Sequence, residues 1–481
     1  MRRLATALAV AIAAARASAA PITSTESGGV GIAVSDSGEM VVVSAAALEG
    51  TFRCALHPQP NASATPLGAV VPCRSARSIA AASAMASTAS REVPVRSSSS
   101  ARFTSSAAAE SPSGRFERDG PFWVQTDSGF VSVPERGALR LSSIGPVRLL
   151  GDDGNNVRFT LTKRVRAHSE AEARRLLQGF VVNWSTKGDE AMIEVRHAGE
   201  RGQAADLSVK APHRLVRVAI ETHGGDVEAS AFDGAVKAAT GGGRMKVDRI
   251  GGAVEATTAG GEIEIGTIGG GVKCLSAGGS IHAGSIGGDA SFETGGGEIQ
   301  VRSVAGATRA VTAGGGIAIG RAASTVTANT AGGAIQVEAA RGAVKAETLG
   351  GSIQIGGADG VRCETGGGGI RLNDVYGSLR AATAVGNVFA RLASGRALTD
   401  SYLATHAGDI TVLIPASLAL TIRAENDRGT GPRSIVSEFP EVATRGEGPL
   451  TVAEGKINGG GPLLRLSGMG GTIYIKKQKQ E

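Results

Sequence analysis

Inward-type and polar residues alternate in two short bursts along each 18-residue stretch of the middle of this chain. The segment from Gly252 to Gly269 reads G-A-V-E-A-T-T-A-G-G-E-I-E-I-G-T-I-G. Val254, Ala256 and Thr258 alternate with polar neighbours, and Ile263 and Ile265 do the same after a glycine pair. A period of two over about five residues predicts half-buried strands, here two per repeat, starting nine residues apart. Ile250, Ile268, Ile286 and Val304 add a third apolar column before the next turn, a candidate third short side.

The bursts recur in register. Thr222, Thr240, Thr258, Ser276, Thr294, Thr312, Thr330 and Thr348 are spaced by 18 residues, and the series continues with small slips to Thr365, Thr383 and Thr405. Five residues after each comes Val227, Met245, Ile263, Ile281, Ile299, Ile317, Ile335, Ile353, Ile370, Val388 or Ile410. A fixed short period means that each repeat buries its apolar face only against its neighbours. The expected fold is all-β, a single-stranded parallel β-solenoid of about 11 coils, about 50 Å long at a ~4.8 Å strand spacing. A hexapeptide helix would place apolar residues six apart and is excluded by the nine-residue step; right-handed coiling is the default for parallel connections. The threonines share a strand face with the inward Val and Ala columns, so their hydroxyls are expected to bond to the adjacent turn. The glycine pairs suit turns that need positive φ or close backbone approach.

Composition supports a thin rod. Glycine numbers 71 and aromatics are 3% of the chain, while 42% hydrophobic content is ordinary. Glycine comes in pairs at the coil period beside only 16 prolines, which excludes collagen. The charge of +6, from 50 basic and 44 acidic residues, is interleaved in sign along the repeats and forms no basic stripe with aromatics. Nucleic acid is therefore not an expected partner.

The flanks divide the chain further. Arg2, Arg3, the apolar stretch Leu4 to Ala15 and Ala17-Ser18-Ala19 predict a signal peptide over 1–19, with an Ala-rich start or a true beginning at Met85 as the alternative. Residues 20–114 form an Ala/Ser-rich linker expected to be mostly disordered, with one hairpin candidate at Gly31 to Val43. Residues 115–217 read as a strand-rich lead-in or cap, with a helix near 169–180 capped by Ser169 and Glu172 and carrying Ala171, Leu176, Leu177 and Phe180 on its apolar side. The solenoid proper spans 218–414, and 415–481 supplies C-terminal capping strands. No stretch is long and apolar enough for a transmembrane helix.

The Gly-Asp-Ile-Thr-Val run at 408–412 with Pro415, Gly-Gly-Gly-Pro at 459–462, the terminal Gly-Gly-Thr-Ile-Tyr-Ile and the repeated G-G-x-I-x-I resemble the bacterial "putative adhesin" family, a domain of unknown function. The likeness covers roughly residues 115 to 481. It implies an export signal, a short strand-rich lead-in and a parallel β-solenoid, and it supplies no catalytic residues to carry over. This chain departs from the family pattern in its Ala/Ser segment between signal and domain.

The positions after the glycine pairs, Asp226, Arg244, Glu262, Ser280, Glu298, Gly316, Ala334 and Ser352, cannot form a regular calcium ladder. The seven histidines are scattered, with His223 and His406 in one column at opposite ends of the rod. No catalytic, cofactor-binding or metal site and no cofactor is predicted. Cys54 and Cys73 are either a disulfide or two free thiols. Cys274 and Cys363, in the Ala column five coils apart, should lie about 24 Å from each other as isolated buried thiols. The expected function is an exported, non-enzymatic envelope or surface protein of the periplasm, outer envelope or exterior. Its solenoid face would bind an unknown glycan or cell-envelope protein, and its oligomeric state stays open. The alternatives are a polysaccharide-acting β-helix enzyme, drawing on Glu262, Glu264, Asp289, Glu293 and Glu298, and a self-assembling scaffold.

Overall fold

Val254 stacks over Val236 and under Val272, and Ile263 lies between Met245 and Ile281, each pair joined by parallel strand hydrogen bonds. In this computed structural model of the protein, the described residues are 115–479, apart from 135, 198–202, 428–434 and 448, together with the backbone of Val30–Val34, Met40–Ser44 and Arg53–Ala55. The expected signal peptide, most of the 20–114 segment and Cys73 lie outside the described residues. Within that segment, Val30–Val34 and Met40–Ser44 pair antiparallel, as the hairpin at Gly31 to Val43 requires, and Arg53–Ala55 adds a third strand with Cys54 opposite Val43.

From Arg217 to Ile414 the chain winds as a parallel β-solenoid. One long sheet stacks the strands Arg217–Thr222, Ala235–Thr240 and Val254–Thr258 and their successors, and a second stacks Val227–Phe232, Met245–Ile250 and Ile263–Ile268 and theirs. The ladder threonines are buried and hydrogen-bonded in two directions. Thr258 Oγ1 donates to the Gly243 carbonyl of the coil below (3.1 Å) and accepts from Gly261 N–H of its own turn (3.1 Å). Thr240, Ser276, Thr294, Thr312, Thr330 and Thr348 repeat the arrangement, so each hydroxyl ties one glycine turn to the next. Replacing Thr258 by alanine strands a buried carbonyl and an N–H and should cost about 1–3 kcal/mol in denaturant unfolding. Thr258→Ser should be nearly neutral, because Ser276 already serves as a rung.

The glycines act through close approach. A Cβ on Gly261 would lie 1.9 Å from the Gly243 carbonyl oxygen, and the same contact recurs at Gly243, Gly279, Gly297, Gly315, Gly333 and Gly351. None of these seven has a left-handed φ; left-handed glycines occur at such irregular places as Gly377, Gly386 and Gly408. Of the two uses expected for the glycine pairs, the regular coils therefore need only the absence of a side chain.

The lead-in contributes a coil of its own. Ala138–Ser143 pairs in parallel with Arg217–Thr222, and Val147–Asp152 with Val227–Phe232, so Gly145 accepts the hydroxyl of Thr222 at 2.9 Å. Below it Glu190–His197 and Gln203–Pro212 still stack in parallel on these two strands, and beyond them the sheets turn antiparallel through Phe180–Lys187, Asn156–Arg166 and Phe122–Ser132. Helix α1 (Glu170–Leu177) starts at Ser169, whose side chain accepts from Glu172 N–H. The Glu172 carboxylate reaches back to His168 N–H (2.9 Å), one residue before the cap. Ala173 and Leu177 are the buried residues of α1, with Leu176 partly buried, whereas Ala171 is exposed. Ala173 thus takes the place expected for Ala171, while Phe180 is buried beyond the helix, at the start of Phe180–Lys187.

At the other end, spatial order departs from chain order. Leu463–Gly468 and Ile473–Lys477 stack on Ser401–Ala407 and Ile410–Ile414, and the earlier strands Leu420–Asp427 and Ile435–Ser437 lie beyond them. Leu450–Ile457 and Ala443–Glu447 then extend the first sheet antiparallel. Gly468 occupies the ladder position of this inserted coil, and Asn426 from the layer above takes over the threonine's task, donating from Nδ2 to the Gly471 carbonyl (2.9 Å).

Cys274 and Cys363 are free and 1% and 0% exposed, joined by an unbroken register through Phe292, Ala310, Ala328 and Ala346. Burial pushes both thiols far above the ordinary range, with the Glu364 charge adding at Cys363. An unfolded thiol ionises near pH ~8.5 while these stay protonated, so the unfolded state gains on alkaline titration. Stability should fall above that pH by about 1.4 kcal/mol per pH unit per thiol, and Cys274→Ala with Cys363→Ala should flatten the profile. A thiol reagent should react with neither residue until denaturant is added.

Candidate binding groove

Each second strand changes phase near its end. Ile263 and Ile265 point inward two residues apart, and the next inward residue, Ile268, comes three later. The extra residue bends the strand, and the bend repeats in Ile281–Ile286, Ile299–Val304 and Ile317–Ala322. The expected third side is therefore the tail of the second strand past a bend, with Ile250 in register with Ile268 and Ile268 with Ile286.

The bends align into a groove of about 1070 Å³ crossing the coils from Lys246 to Glu338. Glu264, His282, Gln300, Ala318 and Gln336 form one outward column in consecutive register. Thr267, Ser285, Ser303 and Arg321 form another beyond the bend. Between them Gly266, Gly284 and Gly320 leave the floor open. A side chain there would collide with the coil below, since a Cβ on Gly284 meets the Gly266 carbonyl oxygen at 2.6 Å and one on Gly320 meets that of Arg302 at 2.5 Å.

Charge is distributed unevenly along the groove. At its start, Lys246 lies 3.7 Å from Glu264, and Asp248 accepts Thr267 N–H at 3.0 Å. Further along, Arg302 and Arg321 are exposed and have no carboxylate partner among the described residues. Ser303 Oγ donates to Ser285 Oγ at 3.1 Å beside them.

The structure does not gather the carboxylates considered for hydrolysis into one cleft. Glu262 is held by Arg244 (3.4 Å) and His282 (3.3 Å), and Glu264 by Lys246. Asp289 accepts Ala307 N–H at a turn (2.8 Å), Glu293 faces Arg309 (3.7 Å) on the first sheet, and Glu298 is exposed. His223 lies against the Ser143 carbonyl (3.5 Å), far along the rod from His406. Among the described residues no group of three or more His, Cys, Asp or Glu side chains could hold a metal ion, and no helix is long and apolar enough to cross a membrane. The groove itself was missed in the sequence. Its only signal was the three-residue step from Ile265 to Ile268, repeated in the coils from Ala229–Phe232 to Leu372–Val375 and lost in Val388–Leu392.

Parallel pairing sustained over all these coils defines the chain as a single-stranded β-solenoid. No family model and no curated protein matches it. Solved structures do align with it. A putative cell adhesion protein from Clostridium sporogenes ATCC 15579 is 8% identical over 74% of this chain and 100% of its own, with a TM-score of 0.16. A putative adhesin from Parabacteroides distasonis ATCC 8503 is 11% identical over 60% and 97%, with a TM-score of 0.24. A putative lipid binding protein from the same organism is 12% identical over 60% and 97%, with a TM-score of 0.23. Adhesins of this kind are what the Gly-Gly motifs resemble. At such TM-scores the alignments carry no argument about activity, and the fold rests on the register described above.

Proposed function

We propose that this is an exported, non-enzymatic protein of the cell envelope or surface, adhesin-like, whose solenoid presents an extended face to a glycan or protein partner. The observation that carries the reading is the groove, a channel open along its length and lined by amide, hydroxyl and charged side chains from consecutive coils. An enzyme of the polysaccharide-cleaving kind would need two converging carboxylates, and of those considered for that role Glu262, Glu264 and Glu293 are engaged by basic side chains and Asp289 by a backbone N–H. Stacking of rods end to end is disfavoured by the antiparallel strands at both ends, whose charged outer members, such as the fully exposed Ala443–Glu447, guard the sheet edges.

The test is binding of labelled full-length protein to whole bacterial cells and to isolated cell-wall glycans, with product analysis on the same glycans. Saturable binding without new chain ends is expected. Absence of binding, or cleavage of the glycan by purified protein, would overturn the proposal.

A further inference from the structure

The groove's chemistry narrows the partner, and this step rests on the reading just given. We infer that the groove takes an extended acidic polysaccharide, whose carboxylate or sulfate groups meet the guanidinium groups of Arg302 and Arg321.

Three observations lead there. First, the two arginines stand on adjacent coils: Arg321 is in register with Ser303, the neighbour of Arg302, one coil or about 4.8 Å along the rod. Both are exposed and have no carboxylate partner among the described residues, in a protein whose neighbouring Lys246, Arg244 and Arg309 are paired across coils. Two planar donors left without partners beside the Ser303 and Ser285 hydroxyls are suited to oxyanions. Their window is bounded by Glu264 at one end and Glu338 at the other, so an anionic chain is favoured over a defined stretch.

Second, Gln300 and Gln336 lie in one outward column, two coils or about 9.6 Å apart, and offer amide donors and acceptors at a spacing close to the advance of two sugar rings in an extended chain. The groove lining contains no Phe, Tyr or Trp, so the large apolar ring on which a neutral sugar would stack is not provided and charge must select the ligand. The same outward column continues to Arg371, Phe389 and Tyr474, where the rings are themselves covered by cations: Arg371 lies 5.0 Å from the Phe389 ring and Lys476 5.0 Å from that of Tyr474.

Third, an acidic peptide fits less well. Extended peptides gain their affinity by adding a strand to a free sheet edge. Along the groove the strands are hydrogen-bonded to the coils above and below, so a ligand on this face meets side chains and finds no edge.

The experiment uses full-length protein with polygalacturonate and dextran sulfate as acidic probes, and fully methyl-esterified polygalacturonate and dextran as their neutral counterparts. Binding is measured by calorimetry at low and high salt. At least one acidic probe should bind tenfold or more tightly than its neutral counterpart and weaken as salt rises. Arg302→Gln with Arg321→Gln should lower that affinity by about tenfold or more without changing the melting temperature, and Ser285→Trp should block the channel. Equal affinity for acidic and neutral probes, or acidic binding unchanged in the double variant, would overturn the inference. So would tighter, arginine-dependent binding of polyglutamate, in favour of a peptide partner. Cell binding that persists in the double variant while no acidic probe binds sinks this inference and leaves the wider proposal standing. Absence of cell binding by the unaltered protein sinks the wider proposal itself.

Discussion

Gly261→Ala should destabilise the rod by about 3 kcal/mol or more, at the upper end of overpacking effects. The alanine Cβ would sit 1.9 Å from the Gly243 oxygen and 2.4 Å from its carbonyl carbon, both backbone atoms that move only if the coil spacing opens. The neighbouring Gly260 has nothing within 4 Å of the same added atom and no left-handed φ. Gly260→Ala should therefore be neutral or stabilise by about 0.4–1 kcal/mol, by restricting the unfolded chain. Hydrogen exchange gives the sharper readout, because a solenoid opens locally. Faster exchange confined to the coils around residues 243–279 is expected for the first substitution and none for the second. Equal behaviour of the two variants would show that coil spacing is not limited at these turns.

Phe292→Ala should cost about 3–5 kcal/mol. Phe292 is one of the largest fully buried side chains, in a column that from Ala238 to Ala381 otherwise holds only alanines and the two cysteines. The large members of the column, Ile220 and Leu403, lie four and six coils away and cannot fill the space. Removing it leaves a cavity between Cys274 and Ala310. Chemical denaturation should register the loss, and Cys274 should become reactive toward a thiol reagent in the folded variant. A loss below about 1 kcal/mol would mean that the coils collapse onto the gap.

The stacking was legible because identical residue types recur at a fixed interval, so that one register satisfies every column at once. Thr258 and Ile263 alone would have said little; their copies at 276 and 281 determine which strand lies above which. The hydroxyl bonds to the adjacent turn followed from the same face assignment. What was not legible lies where the repeat is broken by conformation or by chain order. The bend after Ile265 and the left-handed Arg249 (φ 52°) depend on local backbone geometry that a period does not encode. The coil Ala138–Asp152 lacks the glycine-pair signal, with only Gly145 at its turn, and so reads as part of a cap. The insertion of Leu463–Lys477 beneath Leu420–Ser437 reverses the order in which the segments are written. The groove's chemistry was hidden for a related reason: outward residues vary from coil to coil, and only their alignment at the bend shows that Arg302 and Arg321 face solvent without partners.

That reversal sets a timetable for maturation. Most coils can dock as soon as they emerge, each on a finished predecessor. The layer built from residues 420–437 has no seat until residues 463–477 have been synthesised and have settled onto the strand pair ending at Ile414. Until then its apolar Leu420, Ile422 and Ala424, all fully covered in the finished fold, are exposed to whatever else is nearby. Closure of this end is therefore a late event that depends on a distant stretch of chain, and the interval before it is when the molecule is most vulnerable to proteases and to misassociation with other chains.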